Sequence, residues 1–163
     1  MSTPHISQVD AAGFARLWPI FQQVIAGGDT FVNAPDLDQA GACALWATPP
    51  ARCFVAERDS EVVGGYMLKP NQPDLGDHIA NAGYIVAPAM RGQGIASALC
   101  EHSLAEARRD GFTAMQFNFV VSSNTTAVRL WQRHGFAIVG EVPGAFRHAQ
   151  MGPTAIYIMH RTL

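Results

Sequence analysis

Apolar residues recur along this chain with two different periods, and the changes of period divide it into elements. A helical period predicts helices from Asp10 to about Ala26, from Asp38 through Trp46, from about Gln93 to Asp110 and from Asn124 to His134. Runs rich in β-branched and aromatic residues predict strands over residues 5–9, 52–58, 61–69, 78–86, 113–120, 136–142 and 154–160. This order predicts an α/β or α+β fold, with a mixed sheet flanked by helices on both faces.

Prolines and turn residues set the limits of several elements. Pro19 lies in the middle of the first predicted helix and should kink it or divide it in two, because proline lacks the N–H that a helix needs. Asp59 and Ser60 separate two strand-like runs and predict a hairpin. Pro143 and Pro153 bound a segment that is predicted to be a loop between the last two strands.

The segment from Val86 to Ala96 carries the most informative chemistry, because a glycine-rich turn here joins a predicted strand to a predicted helix. Gly92 and Gly94 leave bare N–H groups at the helix N-terminus, where free donors and the helix dipole favour a phosphate. Arg91 adds a positive charge at the same place. One alternative is a plain strand–helix connection whose glycines only permit tight packing.

Two nucleotide-binding motifs fit this turn less well. Gly92, Gly94 and Ser97 occupy the spacing of G-x-G-x-x-G, but the third glycine is missing and residues 113–120 contain no Asp or Glu for a ribose. A P-loop needs Gly-Lys followed by Ser or Thr, which is missing here. The phosphate interpretation therefore needs support from elsewhere in the chain.

That support comes from two motifs that, in this order, resemble those of the GNAT acetyltransferase superfamily. Its R/Q-x-x-G-x-G/A signature is matched by Arg91, Gly94 and Ala96. The segment from Asn124 to Phe136 is similar to the family's N-x-x-A-x-x-L-Y-x-x-x-G-F, with Trp131 in place of the usual tyrosine. The resemblance is close from about Arg52 to Leu163 and loose upstream. It implies the GNAT fold, whose mixed central sheet is mostly antiparallel.

The resemblance implies acetyl-CoA as co-substrate and assigns residues to it. The coenzyme would be held by Val86, Arg91, Gly92, Gln93, Gly94, Ile95, Ala96, Asn124 and Trp131. Val86 is expected to meet the pantetheine arm through its backbone and to polarise the thioester carbonyl with its N–H, which is a catalytic role. Asn124 is expected to contact the same arm and to take part in catalysis, although an asparagine here also suits a helix N-cap.

The family's usual proton-transfer groups are absent from the matching positions. An indole N–H donates a hydrogen bond but is no general acid near neutral pH, so Trp131 leaves the departing thiolate to water or to Ser122–Ser123. The strand before the turn carries no carboxylate, and Asn81 and Asn118 are expected to orient an amine whose proton leaves through water. Glu57 is a further candidate base, although a hairpin glutamate is more often solvated.

The acceptor is expected to be a small amine, an amino acid or a related compound, because the predicted site is rich in asparagine and poor in acids. Its candidate contacts are Phe31, Asn81, Tyr84, Asn118 and Arg147. The Arg147 guanidinium suits a carboxylate. Asn118 should be a buried amide in the gap where the sheet parts, on the face of its strand opposite Met115, Phe117 and Phe119.

Direct transfer in a ternary complex is favoured, because Cys100 lies too far along the helix after the turn to carry an acyl group. Two alternatives remain open. One is a non-catalytic acyl-CoA-binding or regulatory module that keeps the turn from Arg91 to Ala96 and lacks acid and base. The other is an enzyme that acetylates protein N-termini or lysines. A polyamine acceptor fits poorly, because a polycation favours an acidic pocket.

Composition narrows the remaining choices. The length of 163 residues predicts one domain over residues 1–163. A net charge of −2 argues against nucleic acid or an anionic membrane as partner, and no apolar run reaches the length of a membrane span. Three widely spaced cysteines, and an N-terminus that lacks the basic and apolar regions of a signal peptide, predict a cytoplasmic location. The histidines lack metal-ligand spacing, so no metal is expected, and a homodimer remains open.

Overall fold

The computed structural model describes residues 2–163, which form a seven-stranded sheet with helices on both faces. The strands are β1 (His5–Val9), β2 (Arg52–Arg58), β3 (Glu61–Pro70), β4 (Ile79–Val86), β5 (Ala114–Val121), β6 (Ala137–His148) and β7 (Gly152–Thr162). The helices are α1 (Ala11–Ala26), α2 (Gln39–Trp46), α3 (Ile95–Arg109) and α4 (Thr125–Arg133). Strand order is β1-β2-β3-β4-β5-β7-β6, and all neighbours are antiparallel except β4 and β5. The mixed sheet predicted from the sequence is confirmed.

The two faces of the sheet carry separate apolar clusters. Phe54 packs in the cluster with α3 and α4, whereas its neighbours Cys53 and Val55 pack in the cluster with α1 and α2. Successive side chains of a strand point to opposite faces, so the two helix pairs cover opposite sides. Asp10 and Asp38 cap α1 and α2 as predicted, accepting the N–H of Gly13 at 2.9 Å and of Gly41 at 2.8 Å.

The sheet parts between β4 and β5. In residues 2–163 these parallel strands pair only at their beginnings, where Ile79 lies opposite Ala114 and Ala80 opposite Met115. The Asn81 side chain then donates to the Gln116 carbonyl at 3.0 Å and links the two strands one step beyond their backbone pairing. Beyond it β4 continues to Val86 and β5 to Val121, each without the other as partner. The resulting gap opens toward the glycine-rich turn.

The predicted clean alternation of the strand β5 is wrong beyond Phe117. Against β7, Phe117 lies opposite Met159 and Val120 opposite Tyr157, so β5 contains an extra residue between these pairs. This bulge sends Phe119 to the other side of the sheet, where it packs with a small cluster that includes Val121, Phe146 and Ile156. Met115 and Phe117 stay in the cluster under α3 and α4.

Two predictions based on proline are also corrected. Helix α1 is not divided at Pro19, because Phe14 and Leu17 before it and Phe21 after it are fully buried and hold both halves against the sheet; a kink at Pro19 stays a prediction. The segment from Pro143 to Pro153 is not a loop, since β6 continues to His148 and β7 begins at Gly152. The register of β6 shifts between Val142 and Phe146, and a proline is tolerated at such a bulge on an edge strand.

Candidate active site

The glycine-rich turn leaves open space at the start of α3. Gly92 has a φ of +75° and Gly94 a φ of +80°, and a Cβ atom at either position would have no heavy atom within 4 Å. Gly94 is the N-cap residue, in the left-handed conformation, and no side chain caps the helix here. The first N–H groups of α3 are therefore available to an anion that enters over the glycines.

A cavity of about 780 Å³ lies over this turn, and we call it the coenzyme cavity. The predicted coenzyme residues in its lining are Val86, Arg91, Gly92, Gly94, Ile95, Ala96, Asn124 and Trp131. Gln93 is the exception. Its Oε1 accepts the Arg58 guanidinium at 3.0 Å and its Nε2 donates to the Ala89 carbonyl at 3.3 Å, so its side chain supports the turn from behind.

A second cavity of about 410 Å³ lies against the α1–α2 side of the sheet, and we call it the acceptor cavity. Of the predicted acceptor residues, its lining contains Phe31, Asn81, Tyr84 and Asn118. Both cavities share the residues Thr30, Tyr84, Val86, Arg91, Asn124, Ala127 and Trp131. The two spaces therefore meet at the gap between β4 and β5.

Asn124 stands at this junction with one part of its amide already engaged. It is the N-cap of α4, and its Oδ1 accepts the Ala127 N–H at 3.3 Å. The capping role that the sequence left as an alternative is thus present. Because the cap uses only Oδ1, the two N–H donors on Nδ2 are the part of the side chain suited to a ligand acceptor atom. Contact with a coenzyme stays a prediction.

Aromatic packing fixes Trp131 and Tyr84 side by side. The ring of Trp131 lies 4.8 Å from that of Tyr84 and 5.1 Å from that of Phe117. The Tyr84 hydroxyl is 2.7 Å from the Ser103 Oγ on α3, and burial raises the pKa of this phenol well above its ordinary value. Tyr84 is therefore held by packing and hydrogen bonding beside α3, where its phenol keeps its proton at neutral pH.

The asparagines of the acceptor side have structural partners. The Nδ2 of Asn81 is used in the link to β5 described above. Asn118 is exposed, where the sequence predicted a buried amide. Its Nδ2 donates to the Asn71 Oδ1 at 2.6 Å and its Oδ1 accepts the Gln116 Nε2 at 3.0 Å. Asn118 keeps the predicted face of the strand with Gln116, but β4 no longer pairs with β5 here and the amide stays exposed.

Arg147 lies outside both cavities. It is exposed on β6, opposite Pro153 of β7, and belongs to the lining of neither space. The sequence placed it in a loop free to turn toward the site, but the extended pairing of β6 with β7 fixes it elsewhere. The structure offers a different cation to the acceptor cavity, since Lys69 on β3 is part of its lining.

Lys69 and Thr30 line these cavities, although neither is among the acceptor contacts predicted from the sequence. Lys69 lies directly opposite Asn81 in the β3–β4 pair. It is also the chain's single lysine, which was the available signal. Thr30 lies in the loop after α1, and its Oγ1 is buried without a hydrogen-bond partner in residues 2–163. No sequence pattern marks Thr30, because its position depends on how the loop packs over the junction.

Among the described residues, the lining of the acceptor cavity contains no Asp, Glu, His or Cys, whereas the lining of the coenzyme cavity includes Asp29 and His148. Glu57 forms an ion pair with Arg16 at 2.9 Å, and the hydrogen bond from Arg16 lowers the pKa of this carboxyl. Cys100 is fully buried, and burial raises the pKa of its thiol to about 12. His102 is hydrogen-bonded within the packing, 2.8 Å from the Tyr66 hydroxyl.

Comparison with known proteins decides the family. The family model for acetyltransferase (GNAT) proteins matches residues 17–136, which is most of the chain. This chain belongs to the GNAT acetyltransferase family. A GCN5-related N-acetyltransferase from Kribbella flavida has a solved structure that is 39% identical, with a TM-score of 0.92 and 98% of each chain covered. The GNAT fold and the family expected from the sequence are confirmed.

Two further relatives extend the comparison. The N-acetyltransferase aca1 of Schizosaccharomyces pombe is 36% identical over 88 residues, which make up 54% of this chain and 42% of that protein. The match thus spans less than half of the length of aca1. The putative acetyltransferase yncA from Salmonella typhimurium, solved with acetyl-CoA, is 22% identical with a TM-score of 0.83, covering 99% of this chain and 95% of that one. At this identity the likeness concerns the fold.

Two further observations on this GNAT protein concern membrane-spanning helices and metal-binding groups. None of the helices in residues 2–163 combines the length and apolar character that crossing a membrane requires. Within the same residues, no group of three or more His, Cys, Asp or Glu side chains is arranged to hold a metal ion.

Proposed function

We propose that this GNAT protein transfers an acetyl group from acetyl-CoA directly to the amine of a small molecule within a ternary complex. The observation that carries the proposal is the meeting of two cavities at the parted strands β4 and β5, with Val86 in the lining of both. One cavity lies over the glycine-rich turn and the other over polar and aromatic side chains. Two substrates bound in them would bring their reacting groups together at Val86.

The donor side is supported by the turn and by relatives. The open helix N-terminus beyond Gly94, with Arg91 beside it, suits the pyrophosphate of coenzyme A. The relative yncA was solved with acetyl-CoA on the same fold. The remaining length of the coenzyme cavity, between Val86 on one side and Asn124 on the other, is where the pantetheine arm would extend toward the gap.

The Val86 N–H is suited to polarise the thioester carbonyl. The N–H of Ala87 donates to the Val63 carbonyl on β3 at 2.9 Å. Backbone N–H groups of an extended strand alternate between its two edges, so the preceding Val86 N–H faces the β5 side, where the strands have parted. A donor fixed in this gap would stabilise negative charge that develops on the carbonyl oxygen during attack.

The chemical step needs no covalent enzyme intermediate. The neutral amine attacks the thioester carbon, its proton passes to water, and the carbon–sulfur bond breaks to release coenzyme A as a thiolate. A thiol pKa of about 8.5 makes this thiolate a tolerable leaving group without a dedicated acid. Trp131 adds an indole N–H to the lining of the junction, which can donate a hydrogen bond but not a proton.

Release of free coenzyme A thiol in the presence of a panel of amines tests the proposal. The panel holds amino acids, their amides, polyamines and peptides with free N-termini or lysines. Turnover that is fastest with small amino compounds supports the proposal. Turnover with peptides alone would overturn the small-molecule acceptor, and coenzyme binding without turnover on any amine would leave the non-catalytic alternative.

A cytoplasmic location is part of the same proposal. Cys43, Cys53 and Cys100 are all free thiols, and two of them are buried, which suits a reducing compartment. Fractionation of the source cells with an antibody to the chain checks it. Size-exclusion chromatography with light scattering checks the homodimer, which stays a prediction.

A further inference from the structure

We propose that Lys69 binds the carboxylate of the acceptor, so that the substrate is an amine that also carries a carboxylate group. This inference rests on the proposed function and adds the class of acceptor and the residue that selects it. Lys69 lies near the end of β3, is half-buried and lines the acceptor cavity. Its strand neighbour Asn81 lines the same space, so the two side chains stand on one face of the sheet.

The Lys69 ammonium has no counter-ion of its own in residues 2–163. The ion pairs there join Arg16 to Glu57, Arg52 to Glu106, Arg52 to Asp110, and Arg109 to Glu106. No hydrogen bond engages the Lys69 side chain in the same part of the chain. A charged group that is drawn partly out of water without a partner is destabilised, and an anion supplied by a ligand would relieve this.

The charge of the acceptor cavity is unbalanced. Lys69 and Arg91 are the charged residues of its lining, and both are cations. A cavity with this field repels polyamines and attracts an acceptor that carries negative charge. Arg91 also lines the coenzyme cavity, where the coenzyme's phosphates would neutralise it. Lys69 then remains as the cation that faces the acceptor.

The position of Lys69 orients such a substrate. Asn81, opposite Lys69, lies five residues before Val86 on β4. At roughly 3.4 Å per residue this is about 17 Å along the strand, most of which an extended lysine side chain and an amino acid bound to it cover together, with the thioester at Val86 completing the path. With its carboxylate at Lys69, the acceptor would extend its amine toward the thioester at Val86. The rings of Phe31 and Trp46, 6.2 Å apart, form an apolar wall beside this path.

The pairing would also help to deliver a neutral amine in a cavity whose described lining contains no Asp, Glu or His. The carboxylate of an amino acid holds its own ammonium group in the charged form through attraction. When that carboxylate is paired with the Lys69 ammonium, this attraction is reduced and the proton leaves more easily. A cation in the acceptor cavity is therefore consistent with the lack of Asp or Glu in its described lining.

Matched acceptors that differ only in the carboxylate test the inference. The pairs are L-leucine with L-leucinamide and L-phenylalanine with L-phenylalaninamide, and KM and kcat are measured for each. Lys69→Met should raise KM for the amino acids by roughly tenfold to a hundredfold, because a charge-assisted contact is lost, and should lower kcat by a smaller factor, because the amine then loses its proton less easily. KM for the amides should hold. An amino acid and its amide differ in intrinsic amine reactivity. This difference cancels, because each acceptor is compared between the variant and the wild type.

Three further variants make the test specific. Lys69→Arg should restore much of the affinity for the amino acids, and Lys69→Glu should invert the preference toward the amides. Arg147→Met is the matched control, because it removes one positive charge from an exposed residue outside both cavities. It should behave as the wild type does. An equal loss for amino acids and amides in Lys69→Met, or no loss for either, would overturn the inference.

Binding measurements separate this inference from the proposed function. Calorimetry with the same pairs, on protein saturated with coenzyme A, measures the dissociation constants of the acceptors without any turnover. If no amine releases coenzyme A but Lys69→Met loses amino acid binding, the proposed function fails and the Lys69 contact stands. If amines turn over and Lys69→Met binds amino acids as tightly as the wild type, the contact fails and the proposed function stands.

Discussion

The coenzyme cavity and the acceptor cavity are built in different ways. The first is lined by the stretch from Val86 through Ala96 and by α4, with further residues from the loop after α1 and from the end of β6 and the turn after it. The second takes its lining from the loop after α1, from α2 and from β3, β4 and β5. The first contains the open N-terminus of α3, whereas residues from several separate segments line the second. A site made by a turn and a helix N-terminus has a local sequence signature, whereas a site made by several distant segments has none.

The largest expected effect is on the affinity of the coenzyme cavity for acetyl-CoA. Gly94→Val should raise the dissociation constant of acetyl-CoA by at least about tenfold, because a β-branched side chain would stand where the pyrophosphate must approach. The open space around the position means that the protein itself has nothing to collide with. Isothermal titration calorimetry measures the constant.

Gly111 offers a matched control for this variant. It has a φ of +85°, and a Cβ atom added there would have no heavy atom within 4 Å. It follows the end of α3 and lies outside both cavities. Gly111→Val carries the same left-handed strain without touching the turn, so it should lower the melting temperature and leave coenzyme affinity alone. If the two variants lose affinity equally, strain and not phosphate approach is the cause.

The coenzyme half was predictable because its determinants are local. The glycines, the arginine and the strand-to-helix change lie within Val86–Ala96, and the helix caps at Asp10 and Asp38 are equally local. Gln93 departs from the pattern, because a partner from β2, Arg58, draws its side chain away from the cavity.

The acceptor half was less predictable because it depends on register. One extra residue in β5 turns Phe119 to the other face, and no alternation pattern reveals such a bulge. Arg147 looked like a loop residue because of nearby prolines, but pairing with β7 fixed it outside. Lys69 becomes a site residue only when β3 and β4 align it with Asn81.

The next largest effects are expected from two tryptophans, Trp131 where the two cavities meet and Trp46 in the acceptor cavity. Trp131→Phe should lower kcat by well under about a hundredfold, the low end for loss of a general acid, because an indole does not donate a proton. Trp131→Tyr should fold and remain active. Trp46→Phe is the matched variant on the acceptor side, where Trp46 is buried against Phe21 and lines the acceptor cavity. The Trp46→Phe substitution should change the KM for the acceptor.

Steady-state kinetics with separate saturation of acetyl-CoA and acceptor distinguish these two tryptophans. The comparison between the halves weakens if Trp46→Phe changes kcat and Trp131→Phe changes the acceptor KM. A loss of about a thousandfold in Trp131→Phe, with normal stability, would contradict the leaving-group account. Equilibrium unfolding in urea supplies the stability control for both variants.

A smaller effect is expected where the two cavities share a buried hydroxyl. Thr30→Val removes an Oγ1 that has no partner in residues 2–163, so the free protein should be as stable as the wild type or more so. If a bound substrate supplies the missing partner, kcat/KM should fall by several-fold, up to roughly tenfold. Thermal melts with and without acetyl-CoA and acceptor, together with steady-state kinetics, measure both effects. Thr30→Ser keeps the hydroxyl and should retain activity.

The smallest effect concerns Asn118, which the sequence favoured as an amide that orients the acceptor amine. Its contacts with Asn71 and Gln116 are between exposed side chains, and exposed hydrogen bonds contribute little because water replaces them. Asn118→Ala should therefore change turnover by no more than about threefold and leave coenzyme affinity unchanged. Gln116→Ala, which removes the other end of one contact, is the matched variant. A tenfold or greater loss of kcat in Asn118→Ala alone would show that this side chain orients the acceptor amine. Such a loss would exceed what a hydrogen bond between exposed amides supplies.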